Sequence, residues 1–179
     1  MKKRKPKIIK DNKRRGEWAE SVFAVRAAEN GLPVSKPIGE SSSFDCVIGR
    51  PGKFVGVQVK CTMAEMQNGK GYVCSVKKNN QTYSAGSFDF LAAYVIPEDA
   101  WYIVPAKLIR GQQSVCLCSP EAKYEEYREA WHLLQKASGC GEATEEPVSE
   151  PEETPMGPGL TRMQGAMNYL RNYLEKGGR

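Results

Sequence analysis

The chain has 179 residues, 40% of them hydrophobic, and a formal net charge of +5; that is enough for one ordinary core with extensions. No run of about eighteen apolar residues is present to span a membrane, and the basic N-terminus lacks the apolar stretch of a secretory signal. Six cysteines without a CxxC pair, beside a single histidine, argue against a zinc site and for reduced thiols in a cytoplasmic protein.

In chain order, residues 1–15 carry nine Lys and Arg against Asp11 and read as a basic, flexible arm. Lys13, Arg14 and Arg15, at its end, are candidates for contact with a phosphate backbone. Such contacts position a nucleic acid without reading its bases, and a solvated tail accounts for the same residues. The segment 16–139 balances thirteen basic with thirteen acidic residues, so the domain expected at 16–137 is electrically neutral. From Lys13 the pattern is helical to Glu29 and stops at Asn30-Gly31. Trp18, Val22 and Val25 recur at helical spacing and are expected to face the core. Glu20 lies beside that apolar face; it is either a surface glutamate or a carboxylate that reaches a site next to a sheet.

Residues 44–49 and 54–62 read as two strands joined by the turn signal Arg50-Pro51-Gly52-Lys53. On the second strand Gln58 and Lys60 share a face, while Val57, Val59 and Cys61 take the other. A hairpin of this length places Asp45 opposite Gln58 and Lys60, so a carboxylate, an amide oxygen and an ammonium converge. A carboxylate and a second oxygen ligand suit a hard divalent cation, Mg²⁺ or Mn²⁺. Such an ion activates water and stabilises charge on a phosphoryl oxygen, and a nearby lysine orients that water or neutralises developing charge. The trio therefore suits hydrolysis of a phosphodiester; two polar residues on a solvated strand face are the plainer account.

Residues 63–71 form a polar loop, and strands are expected at 72–76, 88–96 and 101–104 with a short helix from Pro105. Lys77, Lys78, Asn79, Asn80, Gln81 and Tyr83 form another polar loop that either contacts DNA or is simply solvated. Asp89, at the start of an apolar run, is expected to hydrogen-bond rather than to catalyse. A helix at 121–135 packs Tyr124, Tyr127 or Arg128, and Trp131, and carries His132, the lone histidine, in a surface or core role rather than a catalytic one. Residues 138–159, rich in Glu, Pro and Gly, read as an acidic disordered linker. The amphipathic helix at 160–179 is marginal alone, and docks on its own domain, pairs with a second copy or binds a partner.

The first helix with Gly16-x-x-x-Glu20, the Pro37-Ile38-Gly39-Glu40 segment leading to Phe44-Asp45, and the hairpin into Gln58-Val59-Lys60 resemble the PD-(D/E)XK nuclease superfamily. The likeness runs from residue 16 to 134 and is greatest to the small endonucleases associated with bacterial group I introns. Those carry Gln where most relatives carry Glu; archaeal Holliday-junction resolvases look similar but have Glu there. The resemblance implies an α/β fold of the restriction-endonuclease kind, with a central mixed β-sheet flanked by helices. It also implies a metal-dependent DNA endonuclease. Asp45 would ligate the metal, Gln58 would be a weaker ligand, Lys60 would position the attacking water, and Glu20 would support metal or water. Phe44 departs from the motif's proline, and Gln58 removes a negative charge from the metal site. The alternatives are a catalytically inactive DNA-binding module of the same fold and a junction-resolving enzyme acting on branched DNA. Double-stranded or branched DNA is the expected partner, homo-oligomerisation is compatible with either activity, and no membrane is involved.

Overall fold

A computed structural model describes residues 9–39, 42–67, 69–78, 80–119 and 123–141. Most of the basic arm, nearly all of the acidic linker and the C-terminal helix lie outside the described residues. Helix α1 spans Asn12–Glu29, with the Asp11 side chain accepting the Arg14 N–H as its cap. Residues 12–15, assigned to a flexible arm on composition, are thus the helix's first turn. Its buried face is Ala19, Phe23 and Ala27, with Trp18 and Val22 packed beside them. Val25 was expected there and is instead 59% exposed, because it falls outside the stripe that Ala19, Phe23 and Ala27 trace.

Strands β1 (Val34–Ser35), β2 (Cys46–Arg50), β3 (Lys53–Thr62), β7 (Phe90–Val95) and β8 (Ala100–Pro105) form one sheet in the order β1-β2-β3-β7-β8. It is mixed: β2 and β3 are antiparallel, β3 and β7 parallel, β7 and β8 antiparallel. The β2–β3 hairpin turns at Pro51-Gly52, with Gly52 at φ +86° as a Pro-Gly turn requires. Gly49 must be glycine, since at φ +139° a Cβ would lie 2.1 Å from the Lys53 carbonyl oxygen.

Alternation along the central strands sorts the core onto two faces. Val57, Val59, Ala92, Tyr94, Trp101 and Ile103 pack with α1 and with helix α2 (His132–Ser138). Phe23 meets Trp101 at 5.5 Å and Trp131 at 5.6 Å between ring centroids, and each such fully buried side chain contributes roughly 1.5–3 kcal/mol. On the opposite face Leu91, Ala93, Tyr102 and Val104 pack under a ribbon of β4 (Tyr72–Ser75) and β9 (Ser114–Leu117). Both α-helices among the described residues therefore cover one face, and an antiparallel ribbon covers the other.

The polar stretch after β4 is not a loop throughout. Strands β5 (Lys77–Lys78) and β6 (Gln81–Thr82) pair as a small hairpin. The helix expected at 121–135 is broken into a 3₁₀ turn at Glu125–Tyr127 and α2. Between them Arg128 bridges to Tyr102, and Glu129 takes φ +49°. Glu129 accepts the Trp101 N–H at 2.7 Å and, two residues along, the Trp131 indole N–H at 2.8 Å, and the tertiary bond to Trp101 outweighs local helix propensity. His132 is exposed at the start of α2. No helix of the described residues is long and apolar enough to cross a membrane.

Candidate active site

Cys46 pairs with Val57 across the β2–β3 hairpin, so Asp45, one residue before β2, falls beside Gln58. The backbone makes this placement firm: the Asp45 N–H donates to the Val57 carbonyl at 3.0 Å. Asp45 Oδ2 accepts the Val59 N–H at 2.7 Å and also the Gln58 side-chain amide. Gln58 is 5% exposed, and its Nε2 lies 3.4 Å from the Val59 carbonyl oxygen. Its depth follows from position, since β3 lies between β2 and β7 and Gln58 is paired with Leu91. Phe44, at the motif's proline position, covers the same hairpin: a Cβ on Gly56 would lie 3.3 Å from its ring.

Burial raises the Asp45 carboxyl from its ordinary value, the Val59 N–H pulls it back, and Glu20 pushes it up further. Lys60 and Lys36 act in the lowering direction. Lys60, half-buried on the same face of β3 as Gln58, holds its ammonium over the Tyr83 ring at 5.6 Å from the centroid.

Glu20 approaches from α1 but touches neither Asp45 nor Gln58 directly. Its carboxylate is paired with Lys36 at 3.1 Å. The structure thus brings Asp45, Gln58 and Lys60 together and sets Glu20 beside them with a cation attached. The sequence pattern does not single out Lys36, and it places Tyr83 only in the polar loop opened by Lys77 and Lys78. Lys36 sits in a segment of no marked pattern, and Tyr83 reaches the site only through the β5–β6 hairpin.

The basic residues divide. Lys13 and Arg14 are exposed on the first turn of α1. The Arg15 guanidinium is instead committed to its own chain, donating to the Ile9 carbonyl at 3.1 Å and to Asn12 Oδ1 at 2.5 Å. Lys77 donates to Gln113 Oε1 at 3.4 Å, and Lys78 to the Ser42 carbonyl at 3.2 Å. Asp89 does hydrogen-bond, accepting the Gly56 N–H at 2.7 Å.

All six cysteines are free. Burial pushes the thiols of Cys46 and Cys74 up to about 12, so both remain protonated at neutral pH and supply no thiolate. Among the described residues no group of three His, Cys, Asp or Glu is arranged to hold a metal ion. The oxygen donors at the site are one carboxylate, one side-chain amide and the Val59 carbonyl.

Residues 10–134 match the family model of the PD-(D/E)XK endonucleases. Among solved structures, a bacterial homing endonuclease, I-Ssp6803I, is similar at a TM-score of 0.62 and 30% sequence identity, over 74% of this chain and 99% of that one. None of the curated proteins matches.

Proposed function

This chain belongs to the PD-(D/E)XK endonuclease family, and from that premise we propose that it is a metal-dependent, homing-type endonuclease hydrolysing DNA phosphodiesters. The observation that carries the reading is the cluster on the β2–β3 hairpin. Asp45 is bonded to both the backbone of Val59 and the side chain of Gln58, with Lys60 on the same face of the strand.

The donor set suits a hard divalent cation such as Mg²⁺ or Mn²⁺, because every candidate ligand is an oxygen. Asp45 would hold the ion, with Gln58 offering its amide oxygen once the amide rotates about its terminal bond and exchanges nitrogen for oxygen. When bound, such an ion supplies Lewis-acid stabilisation of phosphoryl charge and lowers the pKa of water in contact with it.

The protein's own groups do the rest. The Val59 N–H fixes the Asp45 carboxylate against the hairpin and favours its charged form. Lys60 donates to the attacking water and offsets negative charge as the phosphorus becomes five-coordinate. Glu20 is a reserve carboxylate, released when Lys36 turns to a phosphate. The exposed Lys13 and Arg14 lie in the sequence-independent part of the DNA interface, with Lys77 and Lys78 at its edge. The DNA contacted is duplex in this reading.

The test is cleavage of supercoiled plasmid and of a synthetic four-way junction, with Mg²⁺, with Mn²⁺ and with chelator, comparing the wild type with Lys60→Ala. Metal-dependent cleavage of duplex that Lys60→Ala lowers by about 10²–10³-fold is expected. Cleavage confined to the junction would replace the homing-type reading with a resolvase. Salt-sensitive binding without cleavage of any substrate, including a randomised target library, would leave an inert binding module.

A further inference from the structure

Lys60 has no ion-pair partner among the described residues. Its ammonium lies over an aromatic face, 5.6 Å from the centroid of Tyr83, within the range where the ring quadrupole attracts a cation. Tyr83 directly follows β6, and its own ring is held by an edge-on contact with Phe88, centroids 4.9 Å apart and planes at 85°. The surrounding segment is fastened to the approach to Asp45 from two points. Lys78 Nζ donates to the Ser42 carbonyl at 3.2 Å, and Ser43 Oγ donates to the Ser87 carbonyl at 2.7 Å. Residues on both sides of Tyr83 are therefore tied to the two residues that precede Phe44-Asp45.

A lysine side chain has four rotatable carbons and a point charge, so it is poorly ordered unless something holds it. Among the described residues no hydrogen bond holds the Lys60 ammonium on its own face of the sheet, where Thr62 Oγ1 is engaged with the Val73 carbonyl and the Ala64 N–H. Gln58 is engaged with Asp45, and its neighbour across the parallel pair is Ala93. An aromatic face attracts the ammonium without accepting its protons in hydrogen bonds. The three donors therefore remain available to a water or a phosphate oxygen.

We propose that Tyr83 is a positioning residue: its ring holds the Lys60 ammonium at the Asp45–Gln58 site with the donors uncommitted. The role in cleavage rests on the nuclease reading above; the contact itself does not. It is the ring that acts, so the phenolic hydroxyl is dispensable.

The experiment compares the full chain with Tyr83→Phe and Tyr83→Leu, using Lys60→Arg to assign the Lys60 signals. By NMR, the Lys60 ε-methylene protons are expected upfield of those of exposed lysines in the wild type and in Tyr83→Phe, through the ring current. In Tyr83→Leu they move to the exposed-lysine range. In cleavage assays kcat falls about tenfold in Tyr83→Leu, with KM for DNA unchanged and Tyr83→Phe within about twofold of wild type. If Tyr83→Leu melts early, Phe88→Leu serves instead: the ring stays but loses its brace, and an intermediate upfield shift is expected. Lys60 resonances that do not move in Tyr83→Leu, or a loss in Tyr83→Phe as large as in Tyr83→Leu, would overturn the proposal. A wild type that cleaves no DNA would count against the nuclease reading, while the ring-current comparison would still decide the contact.

Discussion

Asp45 Oδ2 accepts the backbone N–H of Val59 at 2.7 Å, the residue between Gln58 and Lys60. One bond thus ties the carboxylate to the tripeptide that carries the other two polar groups of the site, and their spacing does not depend on side-chain rotamers alone. The same carboxylate is strained electrostatically. Burial is the largest influence on it and disfavours its charge, and Glu20 adds to this, against the Val59 N–H, Lys60 and Lys36.

That balance has a sign that melting can read. A carboxyl whose pKa is raised on folding binds more protons in the native than in the unfolded state, so stability falls as pH rises from the ordinary carboxylate value of 3.8 through the folded one. Burying the Asp45 charge makes the protein less stable above that range than below it. Asp45→Asn should therefore abolish cleavage yet melt above the wild type at pH 7 in chelator. The gap should close as the pH falls below the unfolded value. Thermal melts across the acid range check this, and a variant that melts lower at pH 7 would show that the Val59 bond to the charged form outweighs burial.

Gln58→Glu restores the charge that most of the superfamily carries. Two carboxylates would then meet where an amide now donates to Asp45, so the metal-free protein loses a hydrogen bond and gains like-charge repulsion. Divalent affinity should rise about 10–100-fold, a fraction of the full interaction of two charges a few ångströms apart at intermediate dielectric. Calorimetric titration with Mg²⁺ reads the affinity. Melting with and without the ion reads the rest: Gln58→Glu should be less stable than wild type in chelator and recover when Mg²⁺ is added.

Gly56→Ala tests the seat of Phe44. The added Cβ would lie 3.3 Å from the Phe44 ring, tighter than ordinary contact, and Phe44 precedes Asp45. A loss of about 1–2 kcal/mol in urea unfolding is expected from the forced shift, with a drop in cleavage as Asp45 moves. Phe44→Leu in the same chain should recover part of both. Equal losses in the single and double variants would mean that the ring is not what the new methyl group meets.

The hairpin was open to sequence reasoning because its signals are local. Alternation on β3 sets the face of Gln58 and Lys60, and the Pro51-Gly52 turn sets the register that brings Asp45 alongside. What lay beyond that reasoning is long-range. Glu129 bonds the distant Trp101 and so breaks a helix that its own neighbours favour. The two-residue strands β5 and β6 have no apolar pattern to announce them, yet they deliver Tyr83 to Lys60. Lys36 finds Glu20 across a connection that carries no motif. Val25 fits a helical repeat one step away from the stripe that is buried, and the apolar spacing of α1 alone admits either choice.

The basic residues at the start of α1 should separate by what each guanidinium or ammonium already holds. Arg15 is spent on Ile9 and Asn12, and its carbonyl lies 3.8 Å from Cys61 Sγ. Arg15→Ala should therefore lower stability by about 0.5–1.5 kcal/mol through lost hydrogen bonds and leave the salt dependence of DNA binding almost unchanged. Lys13 and Arg14 are exposed at the helix N-terminus, and under the proposed function Lys13→Ala or Arg14→Ala would remove a phosphate contact and little else. Each should weaken duplex binding across sequences and reduce the slope of log affinity against log salt by about 0.9. Fluorescence anisotropy on one duplex at four or five salt concentrations measures that slope. A slope changed by Arg15→Ala but not by Lys13→Ala would place the DNA on the other side of this helix turn.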